Sequence, residues 1–351
     1  MQNQCGYPIV RAIDVGYGNT KFVKDRYINS TDIDCSIFPS LAPKASTSSF
    51  AMSDGFRDRR DTSRVLVGGV EYEVGPDSAM ALGGTESGRV LIESYCETDT
   101  YRALVNGALL RMDVDHVDVL VLGLPMSTWK ARKEYLKDAM TGKREISVDR
   151  EVFIERCIIA PQPLGGFYDH GMKNGSIRSM KDEVNLVIDP GFWTLDWVLA
   201  AGVTPIDQRS GAVNNGGVAD LLRAVRDQLA IDFDTSEGEV GSIEKIDQRL
   251  RIGEPQRLFG RESERPHKEY LKIAQARAAD ALRKMMASIG STGDIDNIIL
   301  VGGGQHIYAD LIREQFPRHE IQIAENPVFS NVRGFQIIGE QVAKNSIRQA
   351  A

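Results

Sequence analysis

The sequence predicts an α/β protein made of two related domains. Three observations lead there. The chain has 351 residues, enough for two domains at roughly 150 residues each. Short buried-type strands alternate with amphipathic helices along most of its length. The segment 13–23, IDVGYGNTKFV, is echoed by 188–198, IDPGFWTLDWV, with Asp14 aligned to Asp189 and Gly16 to Gly191, 175 residues apart. That spacing is half the chain, as expected if two domains each open on the same hairpin.

Ile9–Val23 reads as a strand, a tight glycine turn and a second strand. Residues 40–64, rich in Ser, Arg and Asp without periodicity, read as a loop-rich insertion. Val65–Val74 (VLVGGVEYEV) reads as another hairpin turning on its Gly pair. Thr100–Met112 has Leu104, Ala108 and Leu109 on one helical face. Val117–Leu124 is a buried-type strand ending at Pro125, and Ser127 fits the N-cap of a helix reaching Met140. Val152–Ile159 reads as a strand followed by a Pro/Gly-rich loop, APQPLGGF. Val184–Ala200 holds the second copy of the hairpin. A helix follows from about Val218, where Val218, Leu221, Leu222, Val225 and Leu229 keep helical spacing. Residues 232–265 are polar and give no assignment. A long helix spans about Pro266–Ile289, Ile298–Val301 is a buried strand leading into Gly302-Gly303-Gly304, and a last helix covers roughly Val332–Arg348.

Composition narrows the function. With 42 basic against 49 acidic residues, the net charge is −7 and there is no overall basic footprint for nucleic acid. No apolar run is long enough to span a bilayer, and the N-terminus lacks the pattern of a secretory signal. Four scattered cysteines without a C-x-x-C argue against a zinc site and for a reducing cytoplasm.

The chemistry lies in the repeated hairpin. A glycine turn lets backbone N–H groups approach a ligand closely, and successive N–H groups form a nest for an anion such as phosphate. An Asp at the strand end cannot touch phosphate directly, but it can hold the water shell of a Mg²⁺ ion lying between them. Two such hairpins would clamp a nucleotide triphosphate tail. Each D-x-G taken alone also fits an ordinary Gly turn with a solvated Asp. The run VGGG at 301–304 adds a third element, since glycines that end a buried strand and open a helix allow close approach of a flat ligand or a phosphate.

In this order the motifs resemble those of the actin-like ATPase superfamily, which includes actin, the heat-shock chaperone ATPases and the sugar kinases. AIDVGYGNTKF (12–22) resembles its first phosphate motif, VLVLGLPMSTW (119–129) its connecting motif and VIDPGFWTLDW (187–197) its second phosphate motif. IILVGGGQHI (298–307) resembles its adenosine motif, and NVRGFQIIGE (331–340) its closing motif. Asp14, Gly16, Asn19 and Lys21, the LP after the connecting strand and Thr194-Leu195-Asp196 are most similar to the plasmid-segregation ATPases of the ParM/StbA type. The wording DPGF-x-T-L-D also resembles the ParM-like proteins of the PRTRC systems.

The resemblance implies an actin-like (ribonuclease H-like) fold with a nucleotide cleft between two domains. One would comprise 1–165 plus 331–351, with a variable subdomain at about 35–95, and the other 166–330. It implies ATP (or GTP) with Mg²⁺ as the ligand. Asp14 and Asp189 would hold the Mg²⁺ through water, and Lys21 would reach the β- and γ-phosphates. The stretch Gly16, Tyr17, Gly18, Asn19 and Thr20 would cradle phosphates from one side, Gly191 and Thr194 from the other. Gly302, Gly303 and Gly304 would line the adenosine. Gly216 and Gly217 are candidates for the base, although a helix-start loop explains them equally well. Gln162 fits the residue that orients the attacking water, being able both to accept and to donate a hydrogen bond; this reading is favoured over that of a loop glutamine between two prolines. The sequence departs from the pattern at Pro190, Phe192 and Trp193, where many relatives carry small residues or Thr, and at Gly18, which offers no hydroxyl. These departures bear on the hydrolysis rate more than on binding.

The expected role is a cytoplasmic ATP hydrolase that polymerises into filaments for plasmid or DNA segregation. It would reach DNA through a DNA-binding adaptor protein, with no direct nucleic-acid or membrane contact. A small-molecule kinase on the same fold, with Asp189 or Asp196 as base, and a nucleotide-binding scaffold with little turnover are the alternatives left open.

Overall fold

The computed structural model describes residues 8–26, 32–45, 60–81 and 88–350. The chain separates into two compact units. Unit 1 comprises Met1–Leu124, Thr128–Pro161 and Val332–Ala351, and unit 2 comprises Pro125–Ser127 and Gln162–Asn331.

In unit 1, β1 (Val10–Val15) and β2 (Asn19–Arg26) form the expected hairpin, and β3 (Ile33–Pro39) extends it. The Gly68-Gly69 hairpin is also present, as β4 (Ser63–Val67) and β5 (Val70–Val74). Both glycines have positive φ, 57° and 78°, which the favoured two-residue turn requires. A short α1 (Ser78–Ala81) precedes α2 (Asp99–Arg111), whose Tyr101 N–H is capped by the side chain of Thr98. Then come β6 (His116–Leu124), α3 (Met126–Met140), β7 (Gly142–Ser147) and β8 (Arg150–Pro161). The sheet order is β3-β2-β1-β6-β8-β7, with β1, β6 and β8 parallel.

Unit 2 starts its main run with α4 (Gln162–Lys173), then β9 (Val184–Pro190), β10 (Thr194–Ala201), β11 (Thr204–Pro205) and β12 (Gly211–Asn214). It continues with α5 (Val218–Asp232), α6 (Ile243–Ile252), β13 (Arg257–Leu258), β14 (Arg261–Glu262) and α7 (His267–Ile289). β15 (Asn297–Leu300), α8 (Gln305–Gln315) and β16 (Ile321–Ile323) complete it, and α9 (Ser330–Ala350) ends the chain. The order β11-β10-β9-β15-β16 repeats the plan of the first sheet: an antiparallel hairpin whose first strand runs parallel to the next two.

Strand alternation divides the core of unit 2 into layers. Leu186, Ile188, Leu195, Trp197, Leu199, Ile298 and Leu300 pack with α5, α7 and α8 on one face. Val187, Ile299 and Val301 pack with Phe167 of α4 on the other. Asp189, Thr194 and Asp196 share the α4 face by the same alternation. In unit 1, α9 lies close on the sheet, because a Cβ at Gly339 would meet Val10 at 2.5 Å and Val121 at 2.9 Å.

Several sequence expectations need correction. Ser127 is not an N-cap: α3 already starts at Met126, whose N–H is satisfied by Asp196 Oδ1 at 2.9 Å. The stretch after Val152–Ile159 is not a loop: Ala160 and Pro161 end β8, and α4 follows at once with Gly165 and Gly166 inside the helix. Gly166 lets α4 press onto β15, since a Cβ there would lie 2.7 Å from Val301 Cγ1. The unassigned 232–265 contains α6 and the β13–β14 hairpin. β3, β7, β11, β12, β16 and the short α1 have no counterpart among the sequence expectations. Most of the insertion at 40–64 lies outside the described residues; its described end enters β4.

Candidate functional site

The two copies of the hairpin are built alike. In the first, Asp14 lies opposite Lys21 in register, and Gly16 N–H closes the turn on Asn19 O at 3.1 Å. In the second, Asp189 lies opposite Asp196, and Gly191 N–H closes the turn on Thr194 O at 2.9 Å. Every one of these positions is displaced by the same 175 residues. The repeat read from the sequence is therefore structural, down to the hydrogen bond that shapes each turn.

The pair of residues facing each other across the strands differs between the copies. Asp14 is fully buried and pairs with Lys21 Nζ at 2.8 Å. Thr20 is also fully buried, with its hydroxyl 3.0 Å from that of Ser40. Ser40 ties down the turn: its hydroxyl donates to Gly16 O at 2.6 Å and its N–H to Gly18 O at 3.0 Å. Tyr17 turns into the protein, stacked on Tyr95 with ring centroids 5.0 Å apart. Asn19 is exposed at the start of β2.

In unit 2 both facing residues are acids. Asp189 accepts from Asn331 Nδ2 at 2.6 Å, and Asp196 accepts from Thr194 Oγ1 at 2.5 Å and from Met126 N–H. All three residues, Asp189, Thr194 and Asp196, are buried. Two buried carboxylates directly opposite each other repel unless donors or a cation accompany them. The sequence suggests Asp196 only as a kinase base; its alignment with Lys21 across the repeat is the signal that places it opposite Asp189.

The glycine run is fitted around the end of β9. Gly302 has φ 77°, and a Cβ there would collide with Asp189 Oδ1. Gly304 N–H donates to Pro190 O at 2.9 Å, and a Cβ on it would come within 2.8 Å of that oxygen. Gly303 O accepts from Arg251 Nη2 at 2.5 Å. The glycines thus bring the opening of α8 against Asp189 and Pro190.

Gly216 and Gly217 take up the helix-start role. Gly216 N–H donates to Val213 O at 3.2 Å, and Gly217, Val218 and Ala219 N–H donate to Trp193, Gly191 and Phe192 O at 3.0, 3.0 and 2.8 Å. The turn of the second hairpin therefore satisfies the first N–H groups of α5, which helix geometry leaves open. Phe192 packs partly buried against the core of unit 2, and Trp193 Nε1 donates to Asn215 Oδ1 at 2.9 Å. Gln162 is the buried first residue of α4, the helix covering the face that carries Asp189.

A family profile described as the N-terminal domain of actin-like proteins matches residues 12–165. The chain has the actin-like fold. Among solved structures it is similar to the apo psk41 ParM protein at a TM-score of 0.65 and 20% identity, over 97% of this chain and 98% of that one. It is also similar to the archaeal actin homologue Ta0583 in its complex with ADP, at 0.70 and 20%, over 95% and 99%. A ParM from Clostridium botulinum, solved as a 15-stranded filament, matches at 0.69 and 19% identity, over 95% and 99%. No curated protein matches the sequence. Among the described residues no helix is long and apolar enough to cross a membrane.

Proposed function

We propose that this actin-like chain binds ATP (or GTP) with Mg²⁺, hydrolyses it, and assembles into filaments that segregate DNA. The observation that carries the reading is the duplicated turn, with a buried Asp two residues before each glycine and the same N–H···O closure. Both hairpins serve one nucleotide in this reading. The turn from Gly16 to Thr20 and that of Gly191–Thr194 take the phosphates, Lys21 adds a cation, and Gly302–Gly304 line the adenosine. Gln162 orients the attacking water by hydrogen bonding, without removing a proton outright.

The donors suit Mg²⁺. Asp14, Asp189 and Asp196 offer only hard oxygen atoms, and Mg²⁺ prefers a few carboxylates reached through water. Asp14 and Asp189 would hold it. When bound, the ion would neutralise charge on the β- and γ-phosphates. The net charge of −7 argues for an adaptor protein as the link to DNA. A head-to-tail contact that does not close on itself gives a filament.

The test combines fluorescent-nucleotide binding, Mg²⁺-dependent phosphate release and pelleting with ATP or a non-hydrolysable analogue. Failure to bind ATP or GTP would refute the reading. Binding without pelleting at any salt or Mg²⁺ concentration would remove the filament and leave the nucleotide. ADP formation that requires an added small-molecule acceptor would move the chain to the kinases.

A further inference from the structure

Unit 1 carries a cluster of ligand-type side chains outside every nucleotide motif. β6 opens with His116-Val117-Asp118, so strand alternation puts His116 and Asp118 on one face of the sheet. β8 runs parallel beside it, and the register His116↔Phe153 sets Glu155 next to Asp118 on that same face. One ligand atom from each of His116, Asp118 and Glu155 lies within 4.8 Å of the other two. Two carboxylates side by side on neighbouring strands repel, and a cation held between them removes that cost.

Two of the three side chains are oriented in advance. The His116 ring stacks on Phe153, with centroids 5.8 Å apart and planes at 24°. Asp118 clasps the residue before β1: its Oδ2 accepts from Ile9 N–H at 2.5 Å, and its own N–H donates to Ile9 O at 2.9 Å. A hydrogen bond behind a carboxylate is how metal sites fix the direction of a ligand. The other oxygen, Oδ1, stands 3.3 Å from His116 Nε2. A charge-assisted hydrogen bond would be shorter, about 2.7–2.9 Å. In a tetrahedral Zn²⁺ site, bonds of about 2.0–2.1 Å set two ligands roughly 3.3 Å apart. Glu155 is exposed, so rotation of its long side chain can bring it to the same ion.

The donor set selects the ion. Mg²⁺ and Ca²⁺ take oxygen ligands, whereas an imidazole beside carboxylates suits Zn²⁺ and its first-row neighbours. The scattered cysteines argue only against a thiolate site. Three protein ligands leave a fourth position for water.

We propose that His116, Asp118 and Glu155 bind a divalent ion of the Zn²⁺ class. The ion would join β6 to β8 and, through Asp118, to the residue that leads into β1. The proposal does not rest on the nucleotide reading.

The test uses the full chain, stripped of metal with a chelator and kept free of nucleotide. It is titrated with Zn²⁺ by calorimetry and melted with and without the ion. Wild type is expected to take up one equivalent with micromolar affinity and to melt higher with Zn²⁺ than with Mg²⁺ or Ca²⁺. Glu155→Gln and His116→Ala are each expected to weaken Zn²⁺ at least about tenfold. Glu155→Gln alters an exposed side chain and should leave the metal-free melting temperature unchanged, so it decides the matter if His116→Ala folds poorly. Zn²⁺ affinity that is unchanged in Glu155→Gln would place the ion elsewhere and overturn the proposal. Wild type that binds no Zn²⁺ below millimolar concentration would overturn it too, as would Mg²⁺ or Ca²⁺ binding as tightly as Zn²⁺.

Discussion

Gly302→Ala isolates how the glycine run is held against Asp189. Two costs are readable. The first is conformational: at φ 77° a Cβ meets its own carbonyl, worth about 1–2 kcal/mol. The second is steric. The new Cβ would collide with Asp189 Oδ1 and lie 3.0 Å from Pro190 O, so the carboxylate must swing away. It would then lose its bond to Asn331, 2.6 Å long, and a hydrogen bond to a charged group contributes about 1.5–3 kcal/mol. Together the loss is on the order of 3–4 kcal/mol, and at roughly 2–4 °C per kcal/mol the melting temperature falls by on the order of 10 °C. Gly253 is the control. It has φ 74° and ψ 19°, the left-handed region, with nothing within 4 Å of the place a methyl would occupy, so Gly253→Ala carries the conformational cost alone. Thermal melts of both variants with and without ATP give the comparison. Equal melting temperatures for Gly302→Ala and Gly253→Ala would refute the close packing of the glycine run on Asp189.

Three further expectations follow from the same geometry. Lys21→Met takes away the ammonium beside buried Asp14 and costs on the order of 3 kcal/mol; adding Asp14→Asn should recover much of this in denaturant melts, and no recovery would contradict a charge origin. Gln162→Ala should slow phosphate release far more than it weakens ATP binding, since its role belongs to the transition state; equal losses would remove that role. His170 is bonded to Gln322 Oε1 at 2.6 Å, and burial pushes its pKa below the ordinary 6.5 despite this bond and the charge of Asp169. The stability attached to its neutral ring is therefore complete above about pH 6.5 and is lost as the pH falls through the folded-state value. His170→Gln should melt with a shallower decline on the acid side, and identical pH profiles would count against it.

The legible parts of this chain share one property: their signal is local. The hairpins at Asp14 and Asp189 announce themselves through an apolar strand, an Asp and a glycine turn, and α5 and α7 through helical spacing. α6 carries such a signal too, in Ile243, Ile246 and Leu250 before a left-handed Gly253, but it is short and lies inside a polar stretch. α4 hides behind Pro163, Gly165 and Gly166, which look like loop residues. Proline is tolerated in a first helical turn, and Gly166 is needed only because Val301 lies against it.

The sequence by itself determined the duplication, the alternation of strands and helices, and the identity of the residues at each turn, since these depend on neighbours a few positions apart. Only the tertiary structure decided what those residues touch. It tied α5 to the carbonyls of the second turn, bonded Asp189 to Asn331, and brought Arg89 to Gly18, 71 positions away along the chain. Such contacts are fixed by packing and by the need of every buried donor and acceptor for a partner. No spacing along the chain encodes them.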